Sequence, residues 1–176
     1  MKVNNVLNAV FELLGESVVC ASGDTAEEKL AVRCLNMILK EIADEYVDFT
    51  RTEEVESVEG VILYSDLSAP VKSVKSVAEN GKRLVFKERD EGIVVNRSGE
   101  FDVTYAYHPA DVAIGQEITL PRAVTERALV YGTASEYCLM REQFDECVNL
   151  NSRYVRAIAA ATRPRRELRV KERVWL

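Results

Sequence analysis

The chain has 176 residues, 47% hydrophobic and 30% charged, so it is long enough for one domain with a real core and is not a disordered chain. No apolar run approaches the ~18 residues that a membrane span requires, and Asn4, Asn5, Asn8 and Glu12 break the first apolar pattern as no secretory leader would tolerate, so cytoplasmic synthesis is expected. The formal charge of −6 hides an asymmetry: residues 163–176 carry six Arg or Lys against two Glu, a net +4, which leaves the remainder near −10.

In chain order, Val3, Val6, Leu7, Val10, Phe11 and Leu14 share one helical face, and Gly15 stands where a helix terminator belongs. A small polar linker leads to Asp24-Thr25-Ala26-Glu27, which has the form of a capping box with the Asp24 carboxylate on the orphan N–H groups. A second helix is expected from Ala26 to Tyr46, its stripe formed by Leu30, Cys34, Leu35, Ile38, Leu39, Ile42 and Tyr46. Residues 1–47 thus read as an antiparallel helical pair.

Near Asp48 the period shortens from 3.6 to 2. Val61–Tyr64, then Val71, Ser73 and Lys75 opposite Lys72, Val74 and Ser76, then Leu84-Val85-Phe86, Ile93-Val94-Val95, and Phe101, Val103 and Tyr105 opposite Asp102, Thr104 and Ala106 read as short strands. Asn80-Gly81 is a strong hairpin signal, and Asp90-Glu91-Gly92 and Arg97-Ser98-Gly99 mark further turns. The expectation over 55–107 is a small inserted antiparallel β-meander. One face should rest on the helices; the other, with Lys72, Glu88, Asn96 and Thr104, should meet solvent or a partner.

His108-Pro109 ends the last strand, and Ala110 to Thr119 form a connector with Val112, Ile114 and Ile118 tucked inward. Residues 120–162 read as a second helical pair, with one long bent helix as the alternative because Met140 to Gln143 contains neither Gly nor Pro. Leu120-Pro121 opens it, Val124, Ala128, Tyr131, Ser135, Cys138 and Leu139 give one stripe, and Phe144, Cys147, Val148, Tyr154, Val155, Ile158 and Ala159 give the next. Ala128, Gly132 and Ala134 permit a close crossing. The fold class is therefore α+β: mainly a helical bundle over 1–162 with the inserted meander, followed by an extended C-terminal arm, 163–176.

Little points to catalysis. Cys20, Cys34, Cys138 and Cys147 lack the spacing of zinc or redox sites and read as buried thiols. His108, the single histidine, reads as a surface residue at a strand end, and Asp44 and Glu45, adjacent on a helix, point apart. No phosphate loop or hydrolase motif is present, so no enzyme activity, cofactor or metal is expected.

The arm is more informative. Arg163, Arg165, Arg166 and Arg169 suit phosphates or an acidic protein surface; Leu168 and Val170 alternate with Arg169 and Lys171, and Val174-Trp175-Leu176 is a good pocket anchor. Docking to a partner, direct DNA binding and a self-packed tail are the open readings.

The order of these elements, with the Leu7–Glu16 stretch LNAVFELLGE, Leu120-Pro121, Ala134-Ser135-Glu136-Tyr137-Cys138-Leu139 and Asn151-Ser152-Arg153-Tyr154, resembles the head-to-tail adaptor proteins of tailed bacteriophages, in particular the tubular tail adaptor and tail-accessory-factor group. The resemblance implies a ring of about a dozen copies beneath the portal protein, joining it to a downstream tail or nozzle protein in the neck of the virion. It also implies an arm that clamps the portal, here Arg163, Arg165, Arg166, Leu168, Arg169, Val174, Trp175 and Leu176, and a lumen through which DNA passes without specific binding. The alternative expectation is a small DNA-binding accessory protein with the arm on phosphates.

Overall fold

Helix α1 (Val3–Leu13) buries Val3, Val6, Leu7, Val10 and Phe11, the face that the sequence marks. It closes as a Schellman motif: the Glu16 N–H donates to the Phe11 carbonyl at 2.9 Å and the Gly15 N–H to that of Glu12 at 3.1 Å. These positions come from a computed structural model that describes residues 1–17, 20 and 23–162; the expected arm, 163–176, lies outside the described residues.

Helix α2 (Ala26–Glu41) starts at the expected residue, but its cap lies one residue later than the Asp24 reading. Thr25 is the cap: its Oγ1 accepts from the Glu28 N–H at 3.2 Å, and the Glu28 carboxylate accepts from the Thr25 N–H at 3.2 Å. The chain continues through a π turn, Ile42–Tyr46. Helix α3 (Glu126–Met140) begins later than expected, at a Thr125 cap. Pro121 instead starts a turn closed by the Val124 N–H on its carbonyl at 2.9 Å.

Helix α3 is the centre of the helical layer. Every residue from Ala128 to Ser135 is buried, as are Tyr137 and Cys138. An all-round buried surface is what a helix shows when neighbours cover all its sides, and α1, α2 and α4 (Phe144–Thr162) all pack on it. The expected pairing of α1 with α2 is corrected on this point: the two touch only slightly, and each rests mainly on α3. Gly132 sits where α2 and α4 both cross α3, and a Cβ there would lie 3.0 Å from Ile38 Cγ2 and 3.0 Å from Tyr154 Cδ2.

Between α3 and α4 the chain turns without glycine. The Gln143 N–H donates to the Cys138 carbonyl at 2.9 Å and the Glu142 N–H to that of Leu139 at 3.1 Å, a second Schellman motif with Glu142 at φ 61°. A side chain in this left-handed region costs roughly 1 kcal/mol. Glu142→Gly is expected to stabilise the fold by about 0.5–1 kcal/mol, read as a rise in the denaturant midpoint; no rise would mean the added freedom of the unfolded chain cancels the relief.

Tyr154 donates to the Glu41 carboxylate at 3.1 Å beneath this crossing. Burial pushes the Glu41 carboxyl above its usual range, outweighing that hydrogen bond, with Glu45 and Glu136 adding repulsion. A raised carboxyl contributes stability only below its unfolded pKa of about 4.3 and loses that contribution as pH rises through the folded value. Glu41→Gln keeps an acceptor for Tyr154 without the charge, so it should raise stability by about 0.5–1 kcal/mol at pH 7 and by nothing below about pH 4. A pH series of melting curves reads this, and an equal gain at both pH values would contradict it.

The expected bundle with a small meander is overturned by the strands. The protein is α+β with four helices and two antiparallel sheets among the described residues. One sheet joins β1 (Phe49–Ser57), β7 (Gly99–Tyr107), β3 (Val71–Glu79) and β4 (Lys82–Leu84) in that order; the other joins β2 (Val61–Leu63), β6 (Gly92–Val94) and β5 (Lys87–Arg89). The sheet does not simply lie on the helices. Ile62, Ile93, Val77, Phe101, Val103 and Tyr105 belong to a core of their own, built from both sheets, while the helical core forms a second cluster. Burial between two sheets satisfies the apolar faces that the meander reading assigned to the helices.

Strand β3 departs from period two. Its VKSVKSV run repeats every three residues, and the pairing with β7 slips between Val71 and Ser73 and again between Val74 and Ser76. Two bulges are the physical solution, since each inserts one residue and returns the next valine to the core. Val74 and Val77 are buried and Val71 packs against the same cluster, so Val71 and Val74, expected on opposite faces, share one.

The bulges also aim Lys72 and Lys75. Lys72 Nζ donates to the Ala43 carbonyl at 2.6 Å and the Asp44 carbonyl at 3.1 Å, and Lys75 meets Asp48 at 2.6 Å. A cation on the last carbonyls of a helix is favourable, and here it ties the sheets to the end of α2. Lys72, expected to face solvent or a partner, is exposed and makes this tie as well. The Lys75 hydrogen bond holds the Asp48 carboxyl below its usual range. His108 Nδ1 lies 3.0 Å from Asp44 at the same junction. The connector is pinned as expected: Asn36 donates to the Val112 carbonyl at 3.0 Å and accepts from its N–H at 2.8 Å, and Ile118 is buried.

Candidate functional site

Three surfaces stand out. The first is a groove of about 550 Å³ between α1 and the start of α3, with Ala9, Leu13, Val130 and Tyr131 as its apolar lining and Glu12, Glu126 and Arg127 around it. Helical spacing creates it: Ala9 and Leu13 are four apart on α1, as are Arg127 and Tyr131 on α3. Arg127 Nε donates to the Tyr131 hydroxyl at 2.9 Å, and the guanidinium groups of Arg127 and Arg153 lie 5.2 and 5.8 Å from the ring centre. The Arg127 hydrogen bond, with Arg153 in support, lowers the Tyr131 pKa. One aromatic ring flanked by two cations gives the groove an anion-tolerant end beside an apolar floor.

The second is the outer side of α4. Only Leu150, Tyr154 and Ile158 of this helix are buried, whereas Phe144, Val148 and Val155 are 59%, 66% and 47% exposed. The sequence stripe drawn through Phe144, Val148 and Val155 therefore does not face the protein's own core. Leu139 and Met140, just before the α3–α4 turn, are exposed as well. Together they make an apolar ridge of a kind that marks contact surfaces.

The third is the face of the larger sheet turned away from its core. The β1–β7 register puts Glu54 opposite Asp102 and Glu56 opposite Glu100, with Thr52 and Thr104 joined at 2.9 Å further along. Like charges directly across a ladder destabilise it. On the other face, burial works against the charge of Glu53, but hydrogen bonds from the Ser68 hydroxyl and N–H, with Tyr105 and Arg51 alongside, leave its carboxyl below the usual range.

Among the cysteines, burial pushes the thiols of Cys20 and Cys34 up to about 11 and raises that of Cys138, which makes them poor nucleophiles at neutral pH. Asp44 and His108, set aside in the sequence, are brought together at the sheet–helix junction, on an exposed surface. Arg163, Arg165, Arg166, Leu168, Arg169, Val174, Trp175 and Leu176 all lie outside the described residues. The sequence reading missed the Arg127–Tyr131–Arg153 cluster; the i, i+4 spacing of Arg127 and Tyr131 was the available signal, but Arg153 joins only through the packing of α4 on α3. No protein-family model and no curated protein matches the chain.

Proposed function

We propose that this protein is a structural head-to-tail adaptor, made in the bacterial cytoplasm and built into the neck of a tailed-phage virion. It acts without turnover, as a ring that joins the portal to a downstream tail or nozzle protein. The exposed ridge of α4 is the observation that carries the reading, because a helix that buries three residues inward and leaves three large apolar residues outward is suited to assembly with another chain. The resemblance of the order of elements to that of phage adaptors supports the same view, and the carboxylate pairs on the outer sheet face suit a surface past which DNA slides without sticking. The arm, with Arg163, Arg165, Arg166, Leu168, Arg169, Val174, Trp175 and Leu176, docks on the portal.

The test is co-assembly with the portal of the same genome, imaged by electron microscopy, for the full chain and for a chain ending at Thr162. All described helices and strands precede residue 163, so the shortened chain should keep its circular dichroism and melting curve while losing portal binding altogether. Portal binding that survives the deletion would refute the docking role. Tight DNA binding that weakens steeply with salt would favour the accessory DNA-binding reading instead.

A further inference from the structure

We infer that the α4 ridge of one copy seats in the α1–α3 groove of the next, so that this chain associates head to tail through two different surfaces; the inference rests on the assembly reading above. On α4, the residues turned toward the end of α1 are Glu146, Asn149, Leu150 and Arg153. At 100° per residue, Phe144, Val148 and Val155 fall nearly half a turn away from them. Ridge and groove therefore lie on opposite flanks of the helical layer. A copy cannot bring its own ridge to its own groove, but it can offer one to each of two neighbours.

The two surfaces are matched in kind. Phe144, Val148 and Val155 with Leu139 and Met140 leave on the order of 400 Å² of apolar surface open, about half of one side of a standard interface. The groove offers an apolar floor of Ala9, Leu13, Val130 and Tyr131 and a volume of about 550 Å³, room for Phe144 and Val148 together. The groove also carries the Arg127–Tyr131–Arg153 stack at one place and Glu12 and Glu126 at another. Phe144 against that stack places an aromatic face next to two guanidinium groups. Because the patches differ, the contact is heterologous, the type that closes into a ring or runs on as a filament, and not a self-limiting dimer.

The test uses the full chain with one exposed residue changed on each surface: Val148→Glu on the ridge and Leu13→Glu in the groove. Sedimentation and native mass spectrometry from micromolar to millimolar concentration should show wild type growing beyond the dimer, and each variant alone weakened roughly 30-fold or more. Mixed in equal amounts, the two variants have one intact ridge and one intact groove between them. They should form a 1:1 heterodimer and stop there. Circular dichroism checks the fold of both, and Val148→Ser replaces Val148→Glu if the charge unfolds the helix. A wild type that stays monomeric at millimolar concentration, a variant that assembles like wild type, or Leu13→Glu dimerising alone would each overturn the pairing. Rings that form on the portal regardless of both substitutions would sink this pairing and leave the adaptor reading intact. Head-to-tail assembly that does not join a portal would do the reverse.

Discussion

Gly132→Val is expected to destabilise the protein by about 3 kcal/mol and to lower its melting midpoint by roughly 6–12 °C. The cause is space. A Cβ at residue 132 already meets Ile38 on one side and Tyr154 on the other at 3.0 Å, and valine adds two methyl groups beyond it. Both neighbours are buried, and Tyr154 is held by its bond to Glu41, so neither can swing into solvent. Gly132→Ala is the control: better helix propensity offers about 1 kcal/mol against the tight contact, leaving a small net effect. An unchanged midpoint for the valine variant would show that α2 and α4 cross α3 less closely than these distances say.

Gly92→Ala should damage the other half of the molecule to a similar degree, about 3 kcal/mol. Gly92 pairs with Leu63 of β2 and Arg89 of β5, in the central strand of the smaller sheet. A Cβ there would fall 2.2 Å from the Ile62 carbonyl oxygen and 3.0 Å from Leu63 Cα. These are backbone atoms, so relief requires breaking the ladder that holds Ile62 and Ile93 in the sheet core. Amide hydrogen exchange should therefore quicken at Ile62 and Ile93 while the helical core around Leu35 and Leu129 keeps its protection. Equal loss of protection in both halves would show that the two cores open together.

The helices were largely legible in the sequence because their stripes are strong: the buried face of α1 is Val3, Val6, Leu7, Val10 and Phe11, as the spacing requires. The strands were less so, for physical reasons. β1 reads FTRTEEVES, an edge strand with polar residues on both sides, so it offers no alternation to detect. The bulges of β3 impose a three-residue repeat on a two-residue structure, and only the pairing with β7 reveals it. Val85, expected inside a strand, is 90% exposed just past β4. On α4, hydrophobic spacing could not say which apolar residues face inward, since Val148 and Ile158 are equally good core residues by type. The candidate site was legible only in pieces, because its groove needs α1 and α3 side by side, and those helices are separated in sequence by both sheets.

That separation is bridged by the β1–β7 ladder, which pairs Phe49 with Tyr107 where the chain leaves and rejoins the helical layer. Closing a flexible loop of about 60 residues would cost roughly 3–4 kcal/mol in chain entropy before α2 and α3 gained anything from meeting. Once the ladder is made, that cost has already been met by strand pairing, and α2 and α3 associate as though joined by a short tether. In contact-order terms, the α2–α3 contact, though far apart in sequence, behaves as a local one.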